Sequence, residues 1–266
     1  MPEVRHHGFA RDAAVVEGPE AAAYLQGQLS QDVVALAVGD SSWSWLLAPA
    51  GKVDALVRVA RPGDERFVVD TDAGWGDVVV NRLTRFKLRT RADIAATSFD
   101  VLAVRGDRPE GAALTALWST VEEAVDLLGG PAPGRPLGDG EWEAERITAG
   151  VPAMGAELTE RTIPAETGLV PLTVSFTKGC YTGQELVARI DSRGGHVARH
   201  LRLLRSERPL AAGSDLTAGG KVVGSVTSAS PIGPVALGYV GRAVEPGGTV
   251  LAGDVPVEVV ALPSRG

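Results

Sequence analysis

The chain has almost no cysteine: Cys180 is the single one in 266 residues. An intramolecular disulfide is impossible, and so is a structural zinc site built on several thiolates. Long apolar runs are missing too. No window approaches the roughly 18 apolar residues of a spanning helix, and the start, MPEVRHHGFARDAAVVEG, lacks the apolar stretch of a signal peptide. Positive charge is in deficit, with 26 Lys and Arg against 33 Asp and Glu, a net charge of −7. That balance argues against binding driven by nucleic acid or an anionic membrane surface, so an anionic ligand would need a locally basic pocket. There is no internal repeat and no low-complexity tract. The expectation is a soluble cytoplasmic protein of one large domain or two unequal ones, at roughly 150 residues per domain, whose core needs no disulfide or metal.

What is present in the first half alternates between strand and helix periods. Ala13 to Glu17 is a short apolar run ended by Gly18 and Pro19, and the stretch from Pro19 to Gln28 puts Ala22, Leu25 and Leu29 on one helical face. Trp43 to Leu47 and Val53 to Val59 have strand spacing, and residues 61–65 form a turn before Phe67 to Val69, which predicts a hairpin. Helical spacing returns from Gly74 to Phe86 and again from Leu114 to Leu128, the latter ended by Gly129 and Gly130. Residues 131–140 have loop composition, and Trp142 to Ile147 is expected as a strand. After about Val197 only short β-type runs remain (Leu201 to Leu204, Lys221 to Thr227, Val235 to Val240, Val255 to Val260), spaced by glycine and proline turns. The pattern predicts an α+β region over 1–196 and a small antiparallel β-barrel or sandwich over 197–266.

The densest group of chemically informative residues lies between the two regions, in RTIPAETGL (161–169) and KGCYTGQELVAR (178–189). Gly179 and Gly183 bracket a turn in which backbone can approach a ligand, and Gln184 to Arg189 opens a helix or strand behind it. Cys180 sits inside this turn, where the cation of Lys178 would favour a thiolate; a lone cysteine also serves as a small buried hydrophobe. Tyr181, Gln184 and Glu185 are equally suited to a hydrogen-bonded turn. The basic run of Arg82, Arg85, Lys87, Arg89 and Arg91 has the spacing of a solvated helix face. His196 and His200 are four apart where a strand begins, which separates them by about 13 Å, so no metal site is expected.

KGCYTGQE at 178–185, within IPAETGLVPLTVSFTKGCYTGQELVAR, resembles the signature of the YgfZ-type folate-binding proteins, relatives of the glycine-cleavage T-protein. AAAYLQGQLSQDV, LLAPAGKVDALV at 46–57, ERITAGVP at 145–152 and the β-rich tail follow in the order expected of that family. The resemblance implies a ring of α+β lobes around a central pocket for tetrahydrofolate or a one-carbon derivative, with a terminal β-barrel closing one side. It implies an accessory role toward iron–sulfur client proteins, including radical enzymes that modify tRNA, in which the chain need not turn over a substrate. No direct contact with nucleic acid or membrane is expected. Carried over by position, Arg146 matches the folate-contacting arginine of the T-protein's RLEAG stretch, and Asp54 the first aspartate of its GGxxDD element, where a carboxylate holds the pterin side or assists C–N bond cleavage. The second aspartate is Ala55 here, and the glycine pair is Ala50 and Gly51. Lys178, Gly179, Cys180, Tyr181, Gln184 and Glu185 belong to the YgfZ-type signature, with Cys180 as its functional thiol, which aminomethyl transfer does not need. A folate-dependent aminomethyltransferase is the alternative, disfavoured by Ala55. A thiol enzyme with Cys180 as nucleophile would have only His196 as base.

Overall fold

In the computed structural model, which describes residues 3–109, 113–118 and 123–264, the first region is built on one long strand, β1 (Arg5–Glu17). Along its whole length β1 pairs antiparallel with β5 (Asp93–Arg105), from Arg5 opposite Arg105 to Glu17 opposite Asp93. Its second half pairs on the other side with β4 (Arg66–Asp72). Outside β4 lie β3 (Val53–Gly63) and β2 (Ser41–Leu47), and beyond β5 lie β7 (Ala124–Leu127) and β6 (Ala113–Thr115). A short β8 (Arg135–Pro136) adds in parallel to β1.

Side chains alternate across the sheet. Ala14, Val16, Ala55, Val57, Val59, Phe67 and Val69 enter one buried core together with Leu25 of α1 (Ala21–Gln28) and Val79 and Leu83 of α2 (Gly76–Phe86). The opposite face carries Phe9 and Arg11 of β1, Leu56 of β3 and Asp72 of β4, and this is the face that forms a cavity.

The second region begins at β9 (Arg199–Ser206) and continues through β10 (Asp215–Ala218), β11 (Lys221–Ala229), β12 (Val235–Gly241), β13 (Thr249–Ala252) and β14 (Val255–Val260). These six strands close a barrel in the order β10, β11, β12, β9, β14, β13 around Leu204, Leu216, Val226, Val240, Val257 and Val259. The two regions are joined through α3 (Asp139–Thr148), whose Ile147 is buried with Leu201, Leu203, Leu237 and Tyr239 of the barrel. Among the described residues no helix is long and apolar enough to cross a membrane.

Two expectations from spacing are overturned. Trp142 to Ile147 is part of α3 and not a strand. The alternation in WEAERI imitates a strand, but Asp139 and Glu141 in the first turn favour a helix, and Glu141 Oε2 accepts the Gly138 N–H as half of a capping box. Leu114 to Leu128 is not a helix: its described ends are β6 and β7, and residues 119–122 lie outside the described residues. Leu102 to Arg105 of β5 supply a ready pairing edge for Ala124 to Leu127. Period two then places Val125 and Leu127 against Val104 and sends Asp126 to the cavity face.

Candidate functional site

The cavity, of about 270 Å³, lies between the open sheet face, α3 and residues 151–153. Trp43, Trp118 and Trp142 form much of its wall. Trp142 stacks on His7, Phe9 and Trp118 at centroid separations of 5.1, 5.7 and 5.3 Å, and the Arg105 guanidinium lies 4.3 Å from the Trp118 centroid. Beneath the aromatic wall is a buried chain of alternating charge. Arg11 Nε donates to Asp70 Oδ1 at 2.7 Å and its Nη1 pairs with Asp72, while Arg58 Nε donates to Asp70 Oδ2 at 3.0 Å. Arg58 Nη1 donates to Asp126 Oδ2 at 2.8 Å, and Arg105 Nη1 to Asp126 Oδ1 at 3.1 Å. Three arginines thus meet three aspartates, which is the condition under which charges tolerate burial. Across Trp118 lies a larger cavity of about 830 Å³, with Arg5, Arg135 and Arg205 on its polar side and Leu203, Val235 and Val260 on its apolar side.

Arg146 lines the smaller cavity but is fully occupied. It is buried and on a helix, where the sequence spacing predicts a strand. Its guanidinium donates to both carboxylate oxygens of Glu143, to Val151 O, to Glu157 Oε2 at 3.3 Å and to Ser228 Oγ at 3.0 Å. Glu157, almost completely buried, also accepts from Thr227 and Ser228 and from the Ala153 N–H. Arg146 therefore ties α3 to the barrel.

The other sequence-selected residues gather elsewhere, around the last turn of α1. Lys178 Nζ donates to the carbonyls of Gln26 and Leu29 at 2.6 Å and of Gln31 at 3.0 Å, and lies 5.0 Å from the Tyr181 ring centroid. Burial pushes the Lys178 pKa down to about 8. Thr182 N–H donates to Gly27 O, and the Tyr181 N–H to Gln184 Oε1. Tyr181 is buried in the main core, while Cys180 and Glu185 are exposed. Gly183, at φ +83°, begins α5 (Gln184–Ser192); a Cβ there would lie 2.6 Å from Ala48 O and 2.8 Å from Leu47 Cβ. Gly51 has the reciprocal constraint, a Cβ falling 2.5 Å from Leu186 Cβ, so the turn after β2 and the start of α5 interlock through two glycines. Gly179 has open space around it.

Asp54 joins this second group. It pairs with Arg82 Nε at 3.1 Å, and Arg82 also donates to Gln28 Oε1 and Leu47 O. Burial pushes the Asp54 carboxyl above the usual carboxylate range, with Arg82 pulling the other way. Arg82 is itself buried, so the basic run is not a uniformly solvated face. The structure brings Asp54 and residues 178–185 to the end of α1, and it leaves Arg146 at the cavity, whose lining includes neither Asp54 nor that turn.

The Lys178 clamp has a measurable consequence. Lys178→Met leaves three carbonyls without their donor and is expected to lower stability by about 1.5–3 kcal/mol. A urea midpoint within error of the parent protein would show that water replaces the ammonium at no cost.

No family model matches the chain. It is 29% identical over 216 residues to the tRNA-modifying protein YgfZ of Klebsiella pneumoniae, covering 69% of this chain and 66% of that one. It is 25% identical over 212 residues to an iron-sulfur cluster assembly factor IBA57 homolog of Neurospora crassa, covering 67% of this chain and 48% of that one. The chain is thus similar to members of the YgfZ and glycine-cleavage T-protein superfamily. Its fold is similar to that of the glycine cleavage system aminomethyltransferase T from Bartonella henselae, with a TM-score of 0.83 at 23% identity over 98% of this chain and 86% of that one. The chain spans about two thirds of the length of the YgfZ relative and about half that of the IBA57 homolog.

The residues that sequence reasoning passed over are those of the cavity: Arg11, Arg58, Asp70, Asp72, Arg105 and Asp126, with three tryptophans. A faint signal existed. Arg58 interrupts the apolar run of VDALVRVA, and Asp126 the run of AVDLL, where a charge on a buried strand needs a partner. The cavity fits a flat heterocyclic head group: its walls are aromatic, and it contains a buried Arg11 Nη2 with no hydrogen-bond partner. At about 270 Å³ it is just below the roughly 300–1,000 Å³ typical of ligand sites, room for a head group and not for a long tail.

Proposed function

We propose that this protein binds a reduced folate, tetrahydrofolate or a one-carbon derivative, and assists the assembly, maintenance or repair of iron–sulfur proteins, including tRNA-modifying radical enzymes. The observation that carries the folate half is the cavity, with tryptophan walls for stacking a pterin and an unpartnered buried guanidinium nitrogen for its polar edge. The adjoining larger cavity offers Arg205 to the acidic tail, its Arg5 and Arg135 being paired with Glu145 and Glu141 of the same wall. The iron–sulfur half is supported by kinship with relatives named for tRNA modification and for iron-sulfur cluster assembly. In this reading residues 1–196 hold the folate and the 197–266 barrel closes one side. Cys180 is the functional thiol, presented by the clamped turn of Lys178 to Glu185, and Asp54 supports that turn through Arg82. The clients are iron–sulfur proteins of the cytoplasm. The alternative is aminomethyl transfer of the glycine-cleavage type, favoured by the fold and by 26% sequence identity to an aminomethyltransferase of Corynebacterium jeikeium; repeated formation of methylene-tetrahydrofolate from a lipoylated aminomethyl donor would establish it.

Calorimetric titration with tetrahydrofolate and its formyl and methylene forms tests the folate reading. One site per chain is expected, with quenching of tryptophan fluorescence, because three of the five tryptophans line the cavity. Absence of both heat and quenching across the series would overturn it.

A further inference from the structure

We propose that Asp72, with Arg11 beside it, reads the pyrimidine edge of the folate head group, the edge that carries the 2-amino group, N3–H and the 4-oxo oxygen. This rests on the folate reading above and assigns specificity within that same site.

That edge offers two donors followed by an acceptor, so its complement is a carboxylate next to a donor. The cavity has three carboxylates on its wall. Asp126 is closed off by burial: it is 3% exposed, with Arg58 and Arg105 over its two oxygens. Glu143 is as open as Asp72, with one bond on each oxygen and 40% of its side chain exposed. Its neighbour Arg146, however, has every donor engaged, on Glu143, Val151 O, Glu157 and Ser228, and has none left for a neighbouring oxo group. Asp72 alone of the three combines an exposed carboxylate with a neighbouring guanidinium that has a donor to spare. Its Oδ1 takes Arg11 Nη1 and its Oδ2 takes the Met154 N–H, one bond each, and its side chain keeps 37% of its surface exposed. A carboxylate oxygen accepts two hydrogen bonds, so both still have capacity. Arg11, 5% exposed, contributes the missing donor, since its Nη2 is buried and unpartnered. Asp72 and Arg11 together present acceptor, acceptor and donor, and Trp43, over which the Arg11 guanidinium sits at 5.5 Å, supplies an aromatic surface beside them. Asp54, the carboxylate matched by position to the T-protein element, is instead paired with Arg82 away from this cavity.

The test is an equilibrium titration followed by tryptophan fluorescence, using tetrahydrofolate and an analogue in which a methyl group replaces the 2-amino group. For the parent protein the analogue is expected to bind at least ~10-fold more weakly, the usual scale of a lost charge-assisted hydrogen bond. Asp72→Asn should weaken tetrahydrofolate by a similar factor or more and the analogue by less, because the analogue has only its N3–H contact with Asp72 to lose. Unaltered tetrahydrofolate affinity in Asp72→Asn, or an equal loss for both ligands, would overturn the assignment with the folate reading intact. If the parent protein binds neither ligand, the folate reading itself falls and this assignment with it. Should Asp72→Asn fail to fold, Asp72→Glu retains the charge that Arg11 needs and displaces the carboxylate by one methylene, and the same selective loss is expected.

Discussion

Arg58→Met is expected to lower the free energy of unfolding by about 3–5 kcal/mol, the usual cost of removing one member of a buried, hydrogen-bonded charge group. Arg58 has no exposed surface, and it bridges Asp70 and Asp126, which are themselves buried. Methionine fills similar space, so the cavity term is small and the loss comes from charge. The group falls from three cations against three anions to two against three, and the unbalanced charge falls on Asp70 and Asp126, both buried. Against a total stability of about 5–15 kcal/mol, the variant would be marginally folded at 25 °C. Urea unfolding measures this directly. A loss under about 1 kcal/mol would mean that Arg11 and Arg105 redistribute to satisfy both aspartates unaided.

Cys180→Ser should change almost nothing in the fold and, on the proposed function, abolish activity. The thiol is exposed, and the turn around it is held by other groups: the Lys178 ammonium on three carbonyls, the buried Tyr181 ring and the Thr182 N–H on Gly27 O. An exposed substitution of one atom costs within about 0.5 kcal/mol, so the urea midpoint and folate affinity should match the parent. The variant should nevertheless fail to restore iron–sulfur enzyme activity in a strain lacking the protein. Full restoration by Cys180→Ser would remove the thiol from the site and leave residues 178–185 as a structural interlock.

Much of the fold could be read from local pattern. The strand period after residue 197, broken by glycine turns, corresponds to barrel strands, and the spacing of Val79, Leu83 and Phe86 to α2, because one apolar face decides each element locally. The pattern misled at WEAERI, where alternation is shared by a strand and by a short amphipathic helix, and at Leu114 to Leu128, where the pairing edge offered by Leu102 to Arg105 outweighed helical spacing. The signature was legible as a constellation, since KGCYTGQE is contiguous, but the work of its lysine was not: its acceptors lie 147 to 152 residues earlier in the chain.

The sequence by itself determined the α+β and β division, the exclusion of disulfides, and the short stretch holding the thiol, because these depend on composition, period and adjacency. Only the tertiary structure decided where the cavity lies and what lines it. Arg58 and Asp126 are 68 residues apart, and Arg11 and Asp70 are 59. A charge inside an apolar strand has no meaning until sheet pairing sets its partner at hydrogen-bond distance. The same pairing separated Asp54 from the cavity: Arg82 on α2 claims that carboxylate, and Asp72 is left facing the cavity with an unpaired guanidinium nitrogen beside it.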